Sequence, residues 1–110
     1  MWPRMKTYQD GIWIIDENGQ TVFANQRMAE ILGTSPSEMI GHPSFTYVFP
    51  EDAAAAQRLF DGKKRGDIDP FHFKLRRKDG SSVWVDVQGT PMYNAAGKFN
   101  GIVGTFSVSN

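Results

Sequence analysis

Four apolar residues, Ile12 to Ile15, run into a turn of Asp16, Glu17, Asn18 and Gly19, and a second short strand follows from Thr21 to Ala24. Asn-Gly between two apolar runs is a strong hairpin signal, because both residues tolerate a positive φ. The chain then breaks at Asn25 into a helix whose apolar positions are Met28, Ile31 and Leu32. Asn25 is a favoured N-cap, since its side-chain oxygen can accept an orphan N–H of the first turn. Gly33 stands where a helix end calls for a left-handed residue. A strand pair that passes so directly into a capped helix leaves few folds open to a short chain.

The remainder sorts into short helices and then strands. Met1 to Gln9 has no clear period and Pro3 discourages an early helix, so these residues read as an N-terminal flank to a domain over residues 10–110. Ser35-Pro36-Ser37-Glu38 has the spacing of a capping box with proline at the first helical position, and Gly41 and Pro43 stop that helix early. Phe45 to Phe49 forms an aromatic connector. Pro50-Glu51-Asp52 opens a longer helix, its acids complementing the partial positive charge of a helix N-terminus. Ala53 to Ala56, Leu59 and Phe60 continue it, and Gly62 to Gly66 ends it. Beyond this point the period becomes two. Phe71, Phe73 and Leu75 alternate with His72, Lys74 and Arg76, and after the Asp79-Gly80 turn Val83, Val85 and Val87 alternate with Trp84, Asp86 and Gln88. A looser turn over Asn94 to Lys98 leads to a last strand, about Gly101 to Val108. Strands on either side of a helical insert predict an α+β domain with an antiparallel sheet.

Composition narrows what such a domain can do. With 110 residues, 40% of them hydrophobic, the chain suits one domain with a modest core. Its 12 basic and 12 acidic residues cancel, so no long-range field draws it to nucleic acid or to an anionic membrane. The absence of cysteine excludes a disulfide framework, a zinc-thiolate site and a thiol nucleophile, and a cytoplasmic setting is the default. No apolar run approaches the ~20 residues that span a bilayer and no signal peptide is visible, so direct membrane insertion is not expected. Any anchor of a parent protein would lie outside this chain.

The blocks DGIWIIDENG, ANQRMAEILG, SPSEMIG, the FPED helix start, RRKDGS and the late GxxxGIVGT strand stand in an order and spacing that resembles a PAS domain, a small sensory module of signalling proteins, from about Asp10 to Ser109. The resemblance implies a five-stranded antiparallel sheet in spatial order 2-1-5-4-3, with short helices packed on one face. It places ligands, where members bind one, between the sheet and the helices. It also implies a surface salt bridge between Glu38 and Lys78, worth at most about 1 kcal/mol. Members that form a cysteinyl-flavin adduct, or carry a cysteine-attached chromophore, need a residue this chain lacks. Haem-binding members take an axial histidine from the long helix before the third strand, and Glu51 to Arg65 contains none. Neither group is therefore expected, and the identity of any other cofactor is left open.

A candidate ligand pocket follows from that layout. Met28, Ile31, Met39, Phe45, Phe49 and Leu59 on the helical side would face Ile14, Val22, Phe71, Phe73, Val85 and Phe106 on the sheet. Methionine adapts to irregular volumes, so such a layer can surround a small apolar or aromatic ligand. A plain core, filled by its own side chains, stays open as the alternative. Trp84 shares the parity of His72 and Lys74, which sends it to the outer face, where a large aromatic suits a protein interface. The resemblance favours a homodimer or a packed flank there. Trp13 is a second interface candidate, its parity hidden by four successive apolar residues. The runs Lys63-Lys64-Arg65 and Arg76-Arg77-Lys78 read as solvated loop charge, and His42 and His72 lack the partner pattern of a metal site.

No acid–base pair, nucleophile elbow, phosphate-binding glycine loop or HExxH motif appears, so no catalytic residue is assigned and the chain is not read as an enzyme. The resemblance implies a sensory and interaction domain of a signal-transduction protein, either a histidine kinase or a cyclic-nucleotide signalling protein. Binding of a ligand or partner would shift its packing, and the last strand would relay the shift to an effector outside this chain. Two alternatives stay open: a ligand-free constitutive dimerisation module, and a sensor of a non-covalent cofactor of the flavin type.

Overall fold

Three hairpin loops of one design shape the sheet, as seen in a computed structural model that describes residues 10–109. The flank assigned to residues 1–9 lies outside the described residues. The loops span Asp16–Gln20, Arg77–Ser81 and Asn94–Lys98, and each is closed by paired backbone hydrogen bonds, such as Gly19 N–H to Asp16 O (3.0 Å) and Asp16 N–H to Gln20 O (2.9 Å). In each, the fourth residue is a glycine in the left-handed region, with φ of 80°, 90° and 78°. The hairpin expected from Asn-Gly forms, but Asn18, although it tolerates a positive φ, does not take one. The reason is Asp16, whose Oδ1 accepts from Asn18 N–H (2.9 Å) and Gln20 N–H (3.0 Å) and holds a three-residue loop in which glycine alone turns left-handed.

The strands are β1 (Gly11–Asp16), β2 (Thr21–Ala24), β3 (Phe71–Arg76), β4 (Ser82–Tyr93) and β5 (Phe99–Val108). They form one five-stranded sheet in the order β2-β1-β5-β4-β3, antiparallel throughout. The first and last strands lie side by side, with Gly11 opposite Phe106 and Asp16 opposite Gly101.

Helix α1 (Gln26–Leu32) starts where Asn25 Oδ1 accepts both Met28 N–H and Ile12 N–H at 2.9 Å, so one cap also ties the helix to β1. Gly33 ends it at φ 70°. Helix α2 (Pro36–Met39) forms half of the expected capping box. Ser35 Oγ accepts from Glu38 N–H (3.3 Å), but the Glu38 carboxylate accepts instead from the Thr34 hydroxyl (2.8 Å) and from Lys78 Nζ (2.7 Å). Those bonds, the Lys78 one foremost, hold Glu38 below the ordinary carboxylate range. A charge-assisted partner outcompetes the neutral backbone N–H that a capping box would use. Two 3₁₀ turns, Ser44–Tyr47 and Pro50–Asp52, lead into α3 (Ala53–Lys64), which ends within the expected Gly62 to Gly66 segment.

Helices α1 and α2 bury Met28, Ala29, Ile31, Leu32 and Met39 against the sheet in one apolar cluster with Leu75, Val83, Val85 and Val87. Full burial of side chains of this size is worth about 1.5–3 kcal/mol each. The last carbonyls of α1 are satisfied by the β3–β4 loop: Arg77 Nε donates to Ile31 O (3.2 Å) and Lys78 N–H to Leu32 O (2.9 Å). Arg76 donates to Thr46 O (3.1 Å). The run Arg76-Arg77-Lys78 thus clamps helices to sheet, which corrects its reading as merely solvated charge. Among the described residues, no helix is long and apolar enough to cross a membrane.

Candidate ligand-binding site

Between α3 and the sheet lies a cavity of about 130 Å³, and its floor exists because two strands carry no side chain where they meet. Ala24, Trp13, Gly104 and Gly89 stand in one row across β2, β1, β5 and β4, all facing the helices and all buried. Gly89 pairs directly with Gly104, so the row has a gap two residues wide. A Cβ on Gly104 would stand 2.6 Å from Phe106 Cε1, and one on Gly89 would stand 3.2 Å from Lys63 Cε. Phe45 and Val48 close the cavity from the 3₁₀ segment, Ala56, Leu59, Phe60 and Lys63 from α3, and Phe71, Phe73, Leu75 and Val87 from β3 and β4. Ala56, Leu59, Phe60 and Lys63 recur at helical spacing, which brings them to one face.

Two walls are specific. Trp13 is 5% exposed and packs edge-on against Tyr47 (centroids 5.7 Å apart) and tilted against Phe106 (5.5 Å). Its indole Nε1–H donates to Thr21 Oγ1 at 2.9 Å, satisfying two buried polar groups at once. Burial raises the Tyr47 hydroxyl above its ordinary pKa. Opposite, Lys63 is 3% exposed although neighbouring Lys64 is exposed. Its Nζ donates to Asp69 O (3.0 Å) and lies 5.5 Å from the Phe71 ring centre. Lys63 is therefore a cavity wall and not solvated loop charge; α3 carries it one turn past Phe60 on the inward face. Among the described residues no group of three or more His, Asp or Glu gathers to hold a metal ion. Neither histidine lines the cavity.

The family model described as the PAS fold matches residues 5–108. The chain belongs to the PAS family. In sequence, this PAS domain is 29% identical over 79 residues to the aryl hydrocarbon receptor nuclear translocator homolog of Drosophila melanogaster, covering 70% of this chain and 12% of that protein. It is 30% identical over 96 residues to the protein y4lL of Sinorhizobium fredii, covering 84% of this chain and 11% of that protein. The chain thus spans about a tenth of the length of these curated relatives. A solved light-oxygen-voltage domain studied with a flavin analogue superposes with a TM-score of 0.79 at 24% identity, covering 96% of this chain and 81% of that chain, and shares the fold.

Within the PAS domain, the expected pocket residues divide. Phe45, Leu59, Phe71, Phe73 and Phe106 line the cavity. Met28, Ile31, Met39 and Val85 are buried in the apolar cluster under α1 and α2, away from its lining. Phe49 is half-buried beneath the Lys74 ammonium, 4.9 Å from its ring centre, and also stands apart. Ile14 and Val22 are corrected outright. Trp13 and Ile15 take the inward positions of β1, which sends Ile14 to the opposite face. Thr21 and Ala24 are the buried residues of β2, leaving Val22 50% exposed. Trp13 is corrected from interface to cavity wall by the same parity. Trp84 is 47% exposed and stacks on His72, with centroids 4.7 Å apart and rings 11° from parallel; His72 Nδ1 meets Asp86 Oδ1 at 2.9 Å. Gly89, Gly104 and Lys63 were not anticipated as site residues. Glycines at inward positions of otherwise β-branched strands were the available signal for the first two.

Proposed function

We propose that this PAS domain senses a small apolar or aromatic molecule held between α3 and the sheet, and that β5 relays its presence to an effector. The paired glycines carry the reading: they open an apolar cavity whose floor includes Gly104 and Phe106 of β5 itself. A ligand there would touch the strand that sits centrally between β1 and β4. A parent protein with a histidine kinase or cyclic-nucleotide output fits this role, and the cysteine-free composition is in keeping with a cytoplasmic setting. The cavity matches the ~150 Å³ space that takes one benzene ring. It falls below the ~300 Å³ at which ordinary cofactor pockets begin. The flavin-type alternative would need these walls to move apart.

The test is amide NMR titration with toluene. Shifts at Gly89, Gly104 and Ala56 are expected, and Ala56→Leu, which fills the cavity from a helix without backbone strain, should abolish them. If toluene and other single-ring probes leave these amides unmoved, the reading fails.

The outer face supports a further element of the proposal, a homodimer that buries Trp84. Its ring is large, half-exposed and held flat by His72, a geometry suited to an interface anchor. Native mass spectrometry should report a dimer whose Kd rises at least about tenfold in Trp84→Ala. A monomer at every concentration would remove this element.

A further inference from the structure

We infer that the molecule sensed is a small aromatic acid, its ring among the apolar walls and its carboxylate paired with Lys63. This rests on the ligand-sensing reading above and adds the chemistry of the ligand. Lysine is almost never buried without a partner, because a desolvated ammonium is costly. Lys63 is 3% exposed, and among the described residues no carboxylate forms an ion pair with it. An ammonium has three N–H donors. One meets Asp69 O at 3.0 Å, and the Phe71 ring offers its face at 5.5 Å. That leaves the fold holding a positive charge at the wall of a cavity whose other walls are aromatic and aliphatic.

The neighbouring backbone makes room for this. Gly89 carries no Cβ where one would press on Lys63 Cε at 3.2 Å, so the lysine stem can lie along β4 and present its head at the cavity wall. Phe71 both lines the cavity and lies under the ammonium, so a ring seated on the apolar side would have its substituent close to Nζ. A carboxylate there gains a charge-assisted hydrogen bond and supplies the counter-charge the fold itself does not. A cavity of about 130 Å³ is near the size that takes one ring, and the substituent would sit at its Lys63 wall.

Three probes that share one ring and differ in one substituent decide the matter: benzoate, toluene and benzylamine, titrated calorimetrically into the full chain at neutral pH. Benzoate is expected to bind about tenfold or more tightly than toluene, and benzylamine more weakly than toluene. In Lys63→Met, which keeps the stem and removes the charge, benzoate should weaken about tenfold or more while toluene stays within about twofold. Toluene binding as well as or better than benzoate in the parent chain overturns the inference, leaves the sensor reading standing, and confines Lys63 to holding the loop through Asp69. Failure of all three probes overturns both. The comparison within the parent chain decides the question even if the variant does not fold.

Discussion

A Gly101→Ala variant is expected to melt at least ~10 °C below the parent chain, a loss of about 3 kcal/mol, in thermal unfolding followed by circular dichroism. Gly101 has φ 153°, a conformation that L side chains rarely adopt. An added Cβ would stand on the Ile15 carbonyl oxygen, with Met92 Cε at 2.9 Å and Asp16 Cα at 3.3 Å. Two of these three neighbours are backbone. They cannot withdraw without parting β1 from β5, since Gly101 pairs with Asp16 on one side and with Met92 on the other. The register of β4 against β5 shifts between Met92 and Tyr93, so this is also where the sheet already departs from regular pleating. Gly104→Ala supplies the contrast. Its Cβ would meet the far end of the Phe106 ring, which can rotate, and that variant is expected to fold with its cavity narrowed. A Gly101→Ala melt within about 2 °C of the parent would show that β5 tolerates displacement here, and that the strand is looser than its pairing implies.

The contrast between these two glycines shows what a sequence can and cannot reveal about such a domain. Asn25, Gly33 and Ser35 were legible because caps are local: donor and acceptor lie within four residues, and residue type decides the geometry. Alternation through Phe71–Leu75 and Val83–Val87 was legible because a pleat sends successive side chains to opposite faces. Ile12 to Ile15 defeated the same argument, since four apolar residues fit either face. There the choice was made by β5 and by Thr21, whose hydroxyl receives the Trp13 indole. Lys63 was obscured by its company: a basic run reads as solvent-facing, yet the helix carries its first member inward and its second outward. The pairing of Gly89 with Gly104 was hidden for a different reason. It depends on the register of a hairpin whose strand irregularity at Met92 and Tyr93 no residue type announces. The elements and the α+β class could therefore be anticipated from local signals and the strand order only from the family resemblance, while the cavity, built from non-local register, could not.

Trp13 offers the second large expected effect, because it distinguishes a wall from an interface. Trp13→Ala should cost about 3–5 kcal/mol in urea unfolding, the range for removing a large buried aromatic. Its contacts with Tyr47 at 5.7 Å and Phe106 at 5.5 Å contribute beyond the area they bury, by about 0.5–1.5 kcal/mol for such pairs. Trp13→Phe keeps a ring between those partners but removes the indole N–H. The buried Thr21 hydroxyl then loses its donor at 2.9 Å, and the expected cost is about 1–3 kcal/mol. Trp13→Phe combined with Thr21→Val removes both polar partners together, so it should recover part of that cost, since a matched apolar pair leaves nothing unsatisfied. A surface interface residue would behave otherwise: its truncation would weaken association and leave the monomer's unfolding nearly unchanged. A Trp13→Ala loss below about 1 kcal/mol would contradict its place in the wall. The toluene titration gives an independent reading of the same residue. Trp13 faces Gly104 across β1 and β5, so trimming its ring opens the cavity toward β2 and should alter ligand affinity in Trp13→Phe measured well below its lowered melting temperature.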